Sequence, residues 1–176
     1  FRTNFPGTTN SGLSIKDIHT MNNPPVLLCF VAYYLPGYRS GGPVRTIENL
    51  VNYFSGEFDI RIVTRDRDVL DTEPYPDICV DQWNYVGGAQ VFYASKRSLT
   101  LRGIGSLLRN TPHNVLYLNS FFNPVFTTLP LLAMRLRLAP QSPCVIAPRG
   151  EFSSGAISLK AVKKRSYLRL ASILGL

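Results

Sequence analysis

Hydrophobic positions along the chain fall into two alternating spacings. Val26 to Ala32 is an unbroken apolar run, VLLCFVA, the signature of a strand buried on both faces of a parallel sheet. After a Gly/Pro/Tyr-rich loop from Tyr33 to Gly42, apolar Val44, Ile47, Val51 and Phe54 recur at helical spacing. Arg45, Glu48, Asn49 and Asn52 occupy the opposite face. Pro43 sits where a first helical turn tolerates proline, and Ser55-Gly56 ends the pattern. Phe58 to Thr64 alternates as a second strand, and Ala89 to Tyr93 makes a third. A weak helix over Leu99 to Leu108, a fourth strand over Val115 to Leu118, a helix over Phe126 to Leu138 and a fifth strand over Cys144 to Ala147 follow. A last helix is expected from about Ser158 to Leu174. Strands alternating with helices at this spacing predict an α/β fold: a Rossmann-like parallel sheet flanked by helices, with the five strands in the order 3-2-1-4-5.

Two segments depart from this rhythm. Residues 65–88, with Asp66, Asp68, Asp71, Pro74 and Pro76, are polar and turn-rich and predict a solvated loop. Trp83 and Tyr85 are expected to form that loop's own small core. The opening stretch FRTNFPGTTNSGLSIKDIHT is rich in Thr, Asn, Ser and Gly, lacks periodicity and precedes Met21. Residues 1–23 are therefore expected to be an extension outside the fold, and residues 24–176 a single domain. The N-terminus has no apolar core flanked as a signal peptide requires.

Composition narrows the class. With 45% hydrophobic and 17% charged residues, the 176-residue chain can bury a core. The longest apolar stretch, Phe121 to Ala133, is broken by Pro124 and Pro130, which argues against a membrane span. Cys29, Cys79 and Cys144 are an odd set without paired ligand spacing, so neither a disulfide scaffold nor a metal site is expected, and the cytoplasm is the favoured compartment. The net charge of +8 is unevenly distributed. Residues 121–176 hold eight Lys/Arg and one acid, Glu151, so the positive field belongs to the last third. Lys160, Lys163, Lys164 and Arg165 beside Leu159 and Val162 form a basic amphipathic pattern suited to an anionic membrane surface, or to a solvated helix face. No nucleic-acid-reading module is present, so no nucleic acid partner is expected.

In open α/β sheets ligands bind beyond the carboxyl ends of the strands. Three loops leave such ends here. The first, YYLPGYRSGGP, places Gly41 and Gly42 before a helix whose N-terminal amides suit a phosphate, with Arg39 as a further anion contact. Its glycines are Gly37, Gly41 and Gly42, not the G-x-G-x-x-G of dinucleotide folds, and Thr64-Arg65 stands where such folds end the second strand in an acid. That disfavours a nicotinamide-dependent oxidoreductase. The second loop offers Asn119 and Ser120, with Phe121 and Phe122 as core candidates. The third, APRGEFSSGA, offers Arg149, Gly150 and Glu151 as a polar clamp for a hydroxylated or phosphorylated ligand, or as an Arg–Glu pair that orders the loop. The three loops are expected to converge on one concave site. His19, in the extension, and His113, in a turn at the opposite sheet edge, are poorly placed for catalysis. Asp66, Asp68 and Asp71 lack the glycine and terminal glutamate of a calcium hand.

Taken together, YYLPGYRSGGPVRTIENLV, YLNSFF and PRGEFSSGAISLKAVKK resemble the N-terminal domain of family 4 glycosyltransferases of the two-domain GT-B architecture. The resemblance covers about residues 26–176. It implies a domain that mainly holds the acceptor, a saccharide or a lipid-linked molecule. A second domain, absent from this chain, would mainly hold the nucleotide-sugar donor, and transfer in the cleft between them would retain anomeric configuration. It implies no cofactor beyond that donor substrate, an inactive half when alone, and a cytoplasmic enzyme of polysaccharide biosynthesis, peripheral at the inner membrane. Gly41 and Gly42 fall at the family's glycine loop, and Arg149, Gly150 and Glu151 at a cleft-facing loop. Many members carry a histidine in the later cleft loops, where this chain has Asn119-Ser120 and Arg149-Gly150, so no catalytic residue is assigned. A non-enzymatic basic module binding an anionic membrane or nucleic acid is the alternative class.

Overall fold

The computed structural model describes residues 23–152 and 167–169. All but the last residue of the expected extension, and Lys160, Lys163, Lys164 and Arg165 of the expected basic helix, lie outside the described residues. Six strands form one sheet: β1 (Val26–Phe30), β2 (Asp59–Arg65), β3 (Trp83–Val86), β4 (Ala89–Ala94), β5 (Val115–Asn119) and β6 (Cys144–Ala147). Among the described residues, α1 (Gly42–Phe54), α2 (Leu101–Asn110) and α3 (Leu129–Arg135) accompany them, and residues 167–169 are also helical.

The sheet runs β3-β4-β2-β1-β5-β6, parallel except for the antiparallel β3–β4 pair. The five parallel strands stand in the order expected from the sequence. β1 lies inside the sheet and, like β2, presents apolar residues to both faces. Leu28 and Phe30 pack with Val63, Leu116 and Leu118 under Ile104 and Leu108 of α2 and Ala133 and Met134 of α3. Cys29 and Val31 pack with Ile60, Ile62 and Val91 under Ile47 and Val51 of α1. Burial raises the Cys29 thiol to about 12, so the thiol sits neutral in this core.

Three elements differ from expectation. The loop over 65–88 contains β3, a hairpin partner of β4 turned by Gly87 and Gly88, both at positive φ (59° and 89°). Trp83 packs edge-on against Phe92, with ring centroids 5.4 Å apart. Asp66 and Asp68 are buried rather than solvated. Arg67 binds both carboxylate oxygens of Asp66, and Asp68 accepts backbone amides. The helix expected over Phe126 to Leu138 begins instead as a wide turn, Pro124–Thr128, in which Leu129 N–H donates to the Pro124 carbonyl. Pro130 has no N–H to return to the Phe126 carbonyl, so the ordinary helical ladder cannot form there. Asn123 caps the turn, its Oδ1 accepting from Val125 and Phe126 N–H at 3.1 and 2.9 Å. The second helix starts two residues later than expected, where the Thr100 hydroxyl accepts the Gly103 N–H at 3.1 Å.

Among the described residues no helix is long and apolar enough to cross a membrane. His113 sits in its expected turn, and its ring bridges the Thr111 carbonyl (2.6 Å) and the Ser142 hydroxyl (2.9 Å).

Gly103 offers a test of this packing. A Cβ there would stand well inside contact distance of the Ser98 carbonyl oxygen. Helix propensity alone predicts that Gly103→Ala stabilises by about 1 kcal/mol. The backbone clash instead predicts destabilisation by about 1–3 kcal/mol, read from the urea midpoint at unchanged slope. A higher midpoint would contradict the packing.

Candidate functional site

Because β1 feeds β2 on one side and the chain later crosses back to β5 on the other, the sheet reverses direction between β1 and β5. The loops leaving these two strands must diverge, and a crevice opens between them. A cavity of about 200 Å³ occupies that place. Ala32 and Tyr33 line it from the loop after β1, Ser40 and Pro43 from the approach to α1, Asn119, Ser120 and Asn123 from the end of β5, and Arg149 and Glu151 from beyond β6.

The walls are held by hydrogen bonds from the β6 loop back onto the end of β5. Arg149 Nε donates to Asn119 Oδ1 at 2.5 Å and its Nη2 to the Tyr117 hydroxyl at 3.0 Å. Glu151 takes the Ser120 hydroxyl on Oε1 (2.6 Å) and the Phe121 and Phe122 N–H on Oε2 (2.6 and 3.4 Å). The Thr127 hydroxyl donates to the Ser120 carbonyl at 2.6 Å. The one cation and the one carboxylate of this loop thus each orient the neighbouring strand end, a wider role than an Arg–Glu pair.

This network holds strained backbone. Ser120 and Arg149 have φ of 133° and 53°, two of the five non-glycine residues at positive φ among those described. Such conformations cost about 1–3 kcal/mol each and persist only when the surroundings over-determine them. Asn119 is 5% exposed, and its amide nitrogen is buried with no hydrogen-bond partner. A buried donor left unmatched costs about 1–3 kcal/mol, which a ligand oxygen would recover.

No family model, curated protein or solved structure matches the chain. The site therefore has to be judged on its own geometry.

The structure brings Asn119, Ser120, Arg149 and Glu151 together in this cavity. Gly41 and Gly42 flank it between Ser40 and Pro43. Gly41, at φ 65°, makes the turn into α1, and no atom lies within 4 Å of a Cβ placed on either glycine, leaving the backbone open to close approach. No side chain caps α1, so its first amides keep their donors outward. Gly150, at φ 73°, is the turn between the two clamp residues. Arg39 does not join them. Its guanidinium pairs with Asp71 and donates to the Val69 carbonyl at 3.0 Å, on the other flank of the loop. Asp71, 32 residues away in the 65–88 segment, captures it by opposite charge. Phe121 and Phe122 are not core either. With Phe152 and Tyr167 they form an aromatic cluster with centroids 5.1–5.8 Å apart.

Residue-by-residue reading missed Tyr33, Ser40, Asn123 and Arg65. Arg65, at the end of β2, lies over the Tyr33 and Phe126 rings at 5.8 and 5.4 Å and so backs the Tyr33 wall. Its place at a parallel strand's carboxyl end was the available signal. Among the described residues no group of three His, Cys, Asp or Glu side chains is placed to hold a metal.

If Glu151 fixes the end of β5, Glu151→Ala raises amide exchange at Phe121 about tenfold to a hundredfold while Phe30, in the core of β1, is unchanged. Native-state hydrogen exchange reads both. Unchanged protection at Phe121 would contradict the network.

Proposed function

We propose that this domain is the acceptor-side half of a retaining glycosyltransferase of the GT-B architecture, moving a sugar from a nucleotide-sugar donor to a saccharide or lipid-linked acceptor. The observation that carries the reading is the strained, cross-linked cavity at the sheet's reversal point, with an unmatched Asn119 donor in its wall. The motif resemblance supports it independently.

Each group suits a part of that chemistry. The open backbone at Gly41 and Gly42, at the positive end of α1, suits the diphosphate whose charge grows as the donor's C–O bond breaks. Arg149, held by Asn119 and Tyr117, offers a fixed positive charge to the same oxygens or to a sugar hydroxyl. Ser120 and Asn123 supply short polar groups for a hydroxylated acceptor. Glu151 is a positioning residue, since its carboxylate oxygens already serve Ser120, Phe121 and Phe122.

The full-length gene product should release nucleoside diphosphate from one donor of a nucleotide-sugar panel when saccharide or lipid-linked acceptors are present. Proton NMR of the product should show the donor's anomeric configuration. Arg149→Ala should lower turnover about 10²–10³-fold, the usual loss when one stabilising donor is removed. Arg97→Ala, on the surface away from the cavity, should leave it unchanged. Release with no donor, or equal rates in the two variants, would overturn the reading.

A further inference from the structure

The first loop has a second flank, and a larger cavity of about 690 Å³ lies there. It faces the segment between β2 and β3 and is separate from the site above, so nothing in it depends on the glycosyltransferase reading. Its floor is Tyr93, fully buried, with its hydroxyl donating to the Leu35 carbonyl at 2.5 Å. Tyr75 stands edge-on to Tyr93 with ring centroids 6.0 Å apart, and Tyr38, 75% exposed, stands at the mouth.

The charge of this cavity is opposite to that of the chain. Three carboxylates, Asp68, Asp71 and Asp77, face a single cation, Arg39, in a protein of net charge +8. Arg39 is paired with Asp71. Asp68 is 4% exposed and rigidly held: its Oδ2 accepts the Tyr38 and Arg39 N–H at 2.9 and 3.2 Å, and its Oδ1 accepts the Val69 N–H at 2.7 Å. Burial opposes its ionisation, but those three amides and the Arg39 charge outweigh burial and hold the carboxyl below the usual carboxylate range. Oδ1 carries one N–H and so retains acceptor capacity. The Tyr75 hydroxyl beside it is buried without a hydrogen-bond partner. Both groups close on Gly37, whose missing side chain gives them room. Three carboxylates against one guanidinium disfavour phosphates and nucleotides there. A fixed carboxylate among tyrosine rings is instead the chemistry that holds an organic ammonium, by ion pairing and by the rings' negative faces.

We propose that this cavity binds a small organic cation, a protonated amine carried on a single apolar or aromatic ring. Benzylamine is the probe, with benzyl alcohol as its neutral counterpart and benzoate as its anion, each titrated into the isotope-labelled 176-residue chain and followed by amide NMR. Benzylamine should shift the Tyr38, Arg39 and Val69 amides saturably, bind about tenfold more tightly than the alcohol, and leave benzoate without effect. Asp68→Asn should remove that tenfold preference. Because Asp68 also orders its loop, Asp77→Asn is the second variant, expected to weaken benzylamine about twofold to fivefold with the rest of the spectrum unchanged. Equal affinity for amine and alcohol, shifts that map away from these amides, or no shift at about 10 mM would overturn the proposal.

Discussion

β1 is the constraint from which the rest of the architecture follows. Leu28, Cys29 and Phe30 are each fully buried, and they point alternately to two different cores. A strand that must be covered on both faces cannot lie at an edge, so β2 pairs on one side and β5 on the other. Once the chain has built outward through β2 and β4, it has to return past β1 to lay down β5. That return creates the reversal of strand order, and the reversal opens the crevice in which Tyr33, Asn119 and Arg149 meet. The position of the site is thus a consequence of apolar burial two layers below it.

What the crevice contains is set by a different force. The ends of β5 and β6 are tied by Arg149 to Asn119 and by Glu151 to Ser120 and the two amides that follow. Those charge-assisted bonds offset the cost of left-handed backbone at Ser120 and Arg149. On the far flank of the Tyr33–Pro43 loop, the carboxylates Asp68, Asp71 and Asp77 outnumber Arg39 in the larger cavity. One loop therefore separates a cavity with one cation and one carboxylate from one dominated by carboxylates.

Much of this was legible in the residues. The unbroken run VLLCFVA placed the central strand, and the alternation of periods placed the parallel sheet and its strand order. Asn119, Ser120, Arg149 and Glu151 could be brought together because topology decides which strand ends are neighbours. Interactions between segments far apart in sequence were less accessible. Arg39 looked available to an anion until Asp71 captured it, and Asp68 looked solvated until the Tyr38 and Arg39 amides satisfied it. Two local signals were present and outweighed. Gly87-Gly88 between Tyr85-Val86 and Ala89-Gln90 is a hairpin turn, hidden in a stretch dominated by Asp and Pro. Pro130, inside an otherwise helical pattern, marks the broken ladder that became a wide turn.

We propose that the crevice between β1 and β5 receives an oxygen-rich ligand, with the Asn119 amide donating to it. Side-chain NMR of Asn119 Nδ2 and Arg149 Nε during titration with a panel of saccharide acceptors tests this directly. Both signals should move together and saturate with one member of the panel, while the Tyr38, Arg39 and Val69 amides of the other cavity stay in place. Saturable binding that leaves Asn119 and Arg149 unmoved would contradict it.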